Sequence, residues 1–413
     1  MNAEIIAVGS ELLTPDFQDT NSIFLTRRLM DLGIPVFRRT IVGDRPADIV
    51  PTLSSARTAS DLIVLSGGLG PTGDDLTREA VAEALVRRLV FRPEIMSGIE
   101  VRFARRGRTT PESNRRQAYI VEGAEILENR HGTAPGQWIE EGRRRFVLLP
   151  GPPREFEGVF EDCVWPRLCA WRRGFGVRRI LRSTGLNESE VEDRIAGLYP
   201  ESGGVRLTVL ASPGQIDLHI ASFSERSEED AAAAADALAA VLKIRLADVV
   251  YGETPAGLEE VVARLLAGDR KTVAVAESCS GGLLAHRLTN VPGSSSYFLE
   301  GFVTYDNAAK IRDLGVPAAL IAAHGAVSAP VAESMARGAR ERAGSDYGLG
   351  VTGIAGPSGG TDEKPVGLVF IALAGPGSVG LTRNLFFGRR DIVKFQSSQK
   401  ALDMLRRALL GTP

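Results

Sequence analysis

Two short apolar runs, Leu62-Ile63-Val64-Leu65-Ser66 and Thr272-Val273-Ala274-Val275-Ala276, each pass through a glycine-rich turn directly into a segment of helical period. Four or five apolar residues are too few for a helix and suit a strand buried on both faces, the strand type of a parallel sheet. Glu4-Ile5-Ile6-Ala7-Val8-Gly9 reads as a further buried strand. Thr20 to Leu32 carries apolar residues at helical spacing until Gly33 stops it, and a helix is expected from Thr77 to Arg88. Phe146-Val147-Leu148-Leu149 is another strand, ended by Pro150-Gly151-Pro152-Pro153, where proline denies both ladder and helix. Together these predict an α/β, three-layer doubly wound domain that closes near residue 170.

A chain of 413 residues exceeds what one hydrophobic core usually serves, so two or three domains are expected. Between Trp171 and Tyr251 the pattern reads strand (Arg178 to Thr184), helix (Ser189 to Leu198), strands (Val205 to Ala211, Gln215 to Phe223) and an alanine-rich helix (Glu228 to Leu246), a small α+β unit. From Pro255 the α/β pattern returns: helix Ala256 to Ala267, strand Thr272 to Ala276, helix Gly282 to Leu288, strands Leu349 to Thr352 and Val366 to Leu373. The expected divisions are 1–170, 171–252 and 253–413.

With 44% hydrophobic and 24% charged residues, the composition is that of folded globular protein throughout. A formal charge of -2 creates no global attraction for nucleic acid or anionic membrane. Met1-Asn2-Ala3-Glu4 lacks the basic start of a signal peptide, and no apolar run approaches the ~18 residues of a membrane span, so a cytoplasmic location is expected. The three cysteines form no CxxC pair and the four histidines are dispersed, which points any metal toward carboxylates.

Glu277-Ser278-Cys279-Ser280-Gly281-Gly282 joins strand to helix and places Ser278 near unpaired backbone amides, where a hydroxyl is exposed and an oxyanion stabilised. The alternative is that Ser278 or Ser280 only caps the helix. Phe302-Val303-Thr304-Tyr305-Asp306-Asn307-Ala308-Ala309-Lys310 sets a phenol, an amide and an amine close together after an apolar strand, groups able to relay a proton to a serine, unless Lys310 lies on a solvated helix face. Thr352-Gly353-Ile354-Ala355-Gly356-Pro357-Ser358-Gly359-Gly360-Thr361 offers amides and hydroxyls suited to phosphate, or forms an ordinary glycine-rich loop. Near the other end, Ser66-Gly67-Gly68-Leu69-Gly70-Pro71-Thr72-Gly73-Asp74-Asp75-Leu76-Thr77 brings glycine amides and two carboxylates together, for a phosphate and Mg²⁺ or for a plain turn capped by Asp75.

The segments ESCSGG, TYDNAAK, GAVSAPVA and TGIAGPSGGTDEKPVG resemble the nicotinamide mononucleotide deamidase domain of CinA proteins. The resemblance implies hydrolysis of the carboxamide of nicotinamide mononucleotide to nicotinic acid mononucleotide and ammonia, without a cofactor. It places Ser278 as nucleophile, Lys310 as base and Tyr305 beside them, with Thr352, Gly353, Gly356, Arg390 and Asn307 toward the substrate. Ser280 stands where the family usually has threonine, which keeps the hydroxyl, and Cys279 falls at a position that is not catalytic. A serine–lysine pair works only with a neutral amine, so burial or a neighbouring cation must depress the pKa of Lys310.

GGLGPTGDDLT, with Gly9-Ser10-Glu11-Leu12-Leu13, Asp19-Thr20-Asn21 and Gly132-Thr133-Ala134-Pro135-Gly136, is similar to the CinA branch of the molybdopterin-binding fold, although Pro15 replaces a common glycine. The resemblance implies hydrolysis of ADP-ribose at its pyrophosphate with a divalent metal, Mg or similar. Asp74, Asp75 and Glu11 would hold the metal, and Gly67, Gly68, Gly70 and Asn21 the substrate. The middle segment resembles the family's KH-like module. It lacks a G-x-x-G clamp, so Arg172, Arg173, Arg178, Arg179 and Arg182 are expected in solvent rather than on a specific nucleic acid. The expected partners are small-molecule nucleotides and a second copy in a homodimer. A molybdopterin protein of cofactor synthesis and a competence or recombination scaffold are the competing readings.

Overall fold

The computed structural model describes residues 1–171, 174–200, 204–254 and 256–412. Arg172, Arg173 and Pro255 lie outside them. The chain gathers into two compact units, Met1–Val177 with Ser222–Ala232, and Arg178–Ala221 with Ala233–Pro413.

The first unit holds strands β1 (Ala3–Val8), β2 (Val36–Val42), β3 (Leu62–Ser66), β4 (Leu89–Phe91), β5 (Tyr119–Val121), β6 (Glu125–Leu127), β7 (Gly136–Glu141) and β8 (Arg144–Leu149). Its helices are α1 (Thr20–Asp31), α2 (Pro46–Ala59), α3 (Thr77–Ala84), α4 (Pro93–Ala104), α5 (Pro153–Val159) and α6 (Trp165–Ala170). Six strands form one sheet in the order β2-β1-β3-β8-β7-β6, parallel as far as β8 and antiparallel beyond it. Strand period two divides the buried side chains cleanly. Ile6, Val8, Ile63, Leu65, Phe146 and Leu148 join the core under α2 and α3, whereas Ile5, Val64, Val147 and Leu149 pack with Leu25 and Leu29 of α1 and Phe156 of α5. That is the three-layer arrangement. Helix α3 stops at Ala84 rather than Arg88, because Val86 turns left-handed (φ 54°) and the chain leaves for β4, paired with β5.

In the middle segment, strands β9 (Phe175–Ser183), β10 (Val205–Ser212), β11 (Gln215–Ser224) and β12 (Val250–Gly252) form a sheet ordered β10-β11-β9-β12, accompanied by α7 (Glu188–Ile195) and α8 (Glu228–Leu246). Strand β12 is unexpected from sequence, since three residues carry no periodicity. Two of the arginines are tied down: Arg179 pairs with Asp236 at 2.7 Å, and Arg182 reaches Asp217 at 3.7 Å and the Ala256 carbonyl at 3.2 Å. Arg179 stays in solvent, since its ion pair is exposed, whereas Arg182 is more covered.

The C-terminal part comprises α9 (Leu258–Gly268), β13 (Val273–Glu277), α10 (Leu283–Thr289), β14 (Phe298–Val303), α11 (Asn307–Leu314), α12 (Ala318–His324), α13 (Ala329–Ala343), β15 (Tyr347–Gly353), β16 (Leu368–Gly375), β17 (Ser378–Leu385) and α14 (Arg390–Leu409). The sheet order is β14-β13-β15-β16-β17, with β14, β13 and β15 parallel and the rest antiparallel. Val273 and Val275 face α9, α10 and α14, and Ala274 and Ala276 face α13. Helix α13 lies hard against β15, because a Cβ on Gly350 would stand 2.4 Å from the Ala332 carbonyl oxygen. No described helix is long and apolar enough to cross a membrane.

Candidate functional site

Parallel pairing builds the site at the carboxyl ends of β13, β14 and β15, where open α/β sheets commonly leave a crevice. Register sets Glu277 opposite Val303 and Val351, and the Ser278 amide continues the ladder to the Val351 carbonyl at 2.9 Å. Beyond this point the chain leaves β13 for α10 on one face and β14 for α11 on the other.

The turn after Ser278 depends on Gly281 (φ 60°) and Gly282 (φ 90°), left-handed positions that favour glycine. Neither serine caps α10. Glu277 does, taking the amides of Gly282 (3.0 Å) and Leu284 (3.0 Å) on Oε2 and that of Ala285 (2.8 Å) on Oε1. The capping reading of Ser278 thereby falls, and sequence reasoning missed Glu277, although an acid at a helix start is a known signal. The amides of Cys279 and Ser280 make no hydrogen bond to a backbone carbonyl among the described residues.

Lys310 sits in the first turn of α11, whose start Asp306 caps by accepting the Ala308 amide. Helical side chains lean toward the N-terminus, which carries the amine back to the strand ends. Its Nζ lies 3.2 Å from Ser278 Oγ, 2.8 Å from the Thr304 carbonyl and 3.0 Å from the Tyr305 carbonyl. The side chain is 1% exposed, which excludes the solvated-face reading. Burial lowers its pKa, against a weaker pull upward from Asp306. A neutral amine has two N–H donors and one lone pair, and two carbonyls plus one hydroxyl are the complement of that set.

Tyr305 contributes its carbonyl to Lys310, while its ring is 60% exposed and its hydroxyl accepts from Arg390 at 2.8 Å. Arg390 also donates to the Gly356 carbonyl at 2.7 Å, so one guanidinium ties the Tyr305 loop to the glycine-rich loop. Thr352 is buried and its hydroxyl donates to the Ala326 carbonyl at 2.8 Å. Gly353 allows close packing, since a Cβ there would meet the Leu368 carbonyl at 2.7 Å. Asn307 is exposed at the start of α11. Cys279 is packed in the core, and burial pushes its thiol up to about 12, which keeps it protonated and inert.

In the first unit, the carbonyls of the glycine loop are all taken from behind. Thr77 holds those of Gly67 (2.9 Å, through Oγ1) and Gly68 (3.2 Å, through its amide), and Arg78 those of Leu69 (2.7 Å) and Gly70 (3.2 Å). Peptide planarity then turns the Gly68 and Leu69 amides the other way, the geometry of an anion nest. Gly67 and Gly68 have positive φ, and a Cβ on Gly68 would strike Thr77 Oγ1 at 2.1 Å. Sequence reasoning overlooked Arg78, a fully buried guanidinium whose pKa burial lowers. Asn21 donates to Ser66 Oγ at 2.9 Å and the Gly151 carbonyl at 2.7 Å, leaving its Oδ1 buried and unpartnered.

The expected carboxylates divide. Asp75 accepts from the Gly70 amide (2.7 Å) and the Thr72 amide (2.8 Å), and so clamps its own loop. Asp74 is exposed, with its pKa lowered by the Thr72 hydroxyl. Glu11 folds back over Gly9. Among the described residues no three His, Cys, Asp or Glu gather as a metal site. These residues therefore make no protein cage, and the exposed Asp74 is the carboxylate that would remain to hold a divalent ion.

Sequence comparison extends this picture along the chain. The CinA C-terminal domain profile matches residues 256–409, the probable molybdopterin binding domain residues 4–170, and the damage-inducible protein CinA KH domain residues 178–252. A CinA-like protein of Koribacter versatilis is 46% identical over 99% of this chain and 100% of its own length. The chain belongs to the CinA family. A putative competence-damage inducible protein of Moorella thermoacetica is 45% identical over 99% of each chain. The crystal structure of competence/damage inducible protein CihA from Agrobacterium tumefaciens is 41% identical, covering 38% of this chain and 97% of that one with a TM-score of 0.36. As a CinA family member the chain joins a molybdopterin-binding-like domain to the KH and C-terminal domains of that family.

Proposed function

We propose that the C-terminal domain hydrolyses the carboxamide of nicotinamide mononucleotide, with Ser278 as nucleophile and Lys310 as its base. The observation that carries this reading is the buried contact between Lys310 Nζ and Ser278 Oγ, closed on its other sides by two carbonyls. Ser278 gives its proton to Lys310 as Oγ bonds to the amide carbon. The carbonyl oxygen becomes an oxyanion, and the Cys279 and Ser280 amides are the donors at hand. Lys310 returns the proton to the departing nitrogen, which leaves as ammonia. Water then gives a proton to Lys310 and attacks the acyl-serine; as the bond to Oγ breaks, Lys310 passes that proton to Ser278 Oγ, which frees the acid and restores the neutral amine. Ammonia release from nicotinamide mononucleotide, present in the native chain and absent in Ser278→Ala, tests the assignment; equal release by both sinks it.

For the first unit, the outward amides of Gly68 and Leu69 support binding of a nucleotide diphosphate, with ADP-ribose as substrate. A divalent ion on Asp74 would neutralise the diphosphate, while Asp75, Thr77 and Arg78 hold the loop. Formation of AMP from ADP-ribose, abolished by a chelator, is the expected result; AMP formation unaffected by Asp74→Ala removes that residue from the reaction.

A further inference from the structure

Lys394 stands one helical turn after Arg390 on the same face of α14. Its Nζ lies 3.4 Å from where a Cβ on Gly281 would be, so the ammonium rests on the turn that carries Ser278. Lys394 is half-buried and has no hydrogen bond or ion pair among the described residues. By contrast Arg389 is paired with Asp391 at 2.9 Å, and Arg390 is spent on Tyr305 and Gly356. The nearest buried carboxylate on the turn, Glu277, is consumed by three amides.

Three cations thus crowd the first turns of α14, where the helix dipole is itself positive and disfavours them. Among the described residues no acid compensates Lys394 for this position. Nor does it tune the base: Lys310 is shifted by burial, with Asp306 as the charged neighbour that opposes the shift. On the residue before Gly281, the Ser280 hydroxyl is fully buried and also unpartnered. A free cation against Gly281, on the turn that follows Ser278, without a structural acid, fits an acid that arrives with the substrate.

Resting on the deamidase reading above, we propose that Lys394 is the specificity residue that binds the 5′-phosphate of the substrate and selects nucleotide over nucleoside. Lysine suits this as a compact point charge with three donors. Arg390 remains the brace between loops, so that charge and positioning are divided between two residues one turn apart.

The experiment compares ammonia release from nicotinamide mononucleotide and from nicotinamide riboside, in the native chain, Lys394→Gln and Lys394→Arg. Lys394→Gln is expected to lose at least tenfold more kcat/KM on the nucleotide than on the riboside, chiefly through KM, and Lys394→Arg to recover part of that loss. Equal losses on both substrates, or an unchanged nucleotide KM, overturn the proposal while leaving the serine–lysine reading intact. Ribose 5-phosphate binding by calorimetry gives an answer independent of turnover. Weakening in Lys394→Gln supports the anion site even if the native chain releases no ammonia, whereas equal binding by both proteins refutes it.

Discussion

The Glu277 carboxylate takes the Ala285 amide at 2.8 Å, so the residue before Ser278, the proposed nucleophile, caps the helix after it. The Ser278 hydroxyl is left without a capping duty. Glu277→Ala strands three amides, that of Leu284 in a buried position, and is expected to lower stability by about 2 kcal/mol and to disorder the Ser278 turn. Urea unfolding with ammonia release on the same samples checks both; a fully stable, fully active variant refutes the capping role.

Ser278→Ala and Lys310→Ala are each expected to lose roughly a thousandfold or more in kcat, and the double variant no more than either, because nucleophile and base act as one unit. Lys310→Arg fails too, since guanidinium stays protonated. Cys279→Ala, which removes an inert thiol, keeps most activity, as does Ser280→Ala. A dead Cys279→Ala enzyme with unaltered folding would transfer the chemistry to the thiol.

Burial holds the folded-state pKa of Lys310 below the ordinary 10.5. The base must be neutral, so kcat/KM rises with pH and levels off before 10.5. Between the lowered value and 10.5 the unfolded chain binds more protons than the folded one, so stability also grows with pH across that window. Below it the buried ammonium bears its full desolvation cost. Lys310→Met is therefore expected to melt above the native protein at pH 7 and to lose that advantage by pH 10. Calorimetry at the two pH values decides; a constant difference contradicts the assigned shift.

Arg390→Lys removes the fork that joins Tyr305 to Gly356 and is expected to lower kcat/KM on the order of tenfold or more, since a point charge cannot serve both acceptors. Tyr305→Phe, which leaves the carbonyl on Lys310 in place, has the smaller effect. Steady-state kinetics would reverse the assignment if Tyr305→Phe were the more damaging.

Asp75 and Asp74 separate by stability. Asp75→Ala frees the Gly70 and Thr72 amides and is expected to lower the melting temperature of the first unit, whereas Asp74→Ala leaves it unchanged and affects only metal-dependent ADP-ribose hydrolysis. Thermal scans in chelator test this, and an unshifted Asp75→Ala protein would return Asp75 to the metal.

The chain's own order of residues determined the strand–turn–helix junctions, because an apolar run ending in glycine leaves the backbone few ways to continue. The Ser278 turn and the glycine loop after Ser66 were legible as junctions for that reason, whereas the roles of Ser278 and Lys310 rested on the family resemblance, since residue order alone left a helix cap and a solvated helix face open. Tertiary structure decided what each polar group faces. Parallel pairing of β13 with β14 set Lys310 against Ser278, 32 positions away, and buried it in one step. Arg78 behind the glycine loop, Asp75 folded onto its own turn and Lys394 above Gly281 carry no periodicity or spacing of their own. Their partners are chosen by how helices pack on sheets, a long-range relation to which residue order along one segment is blind.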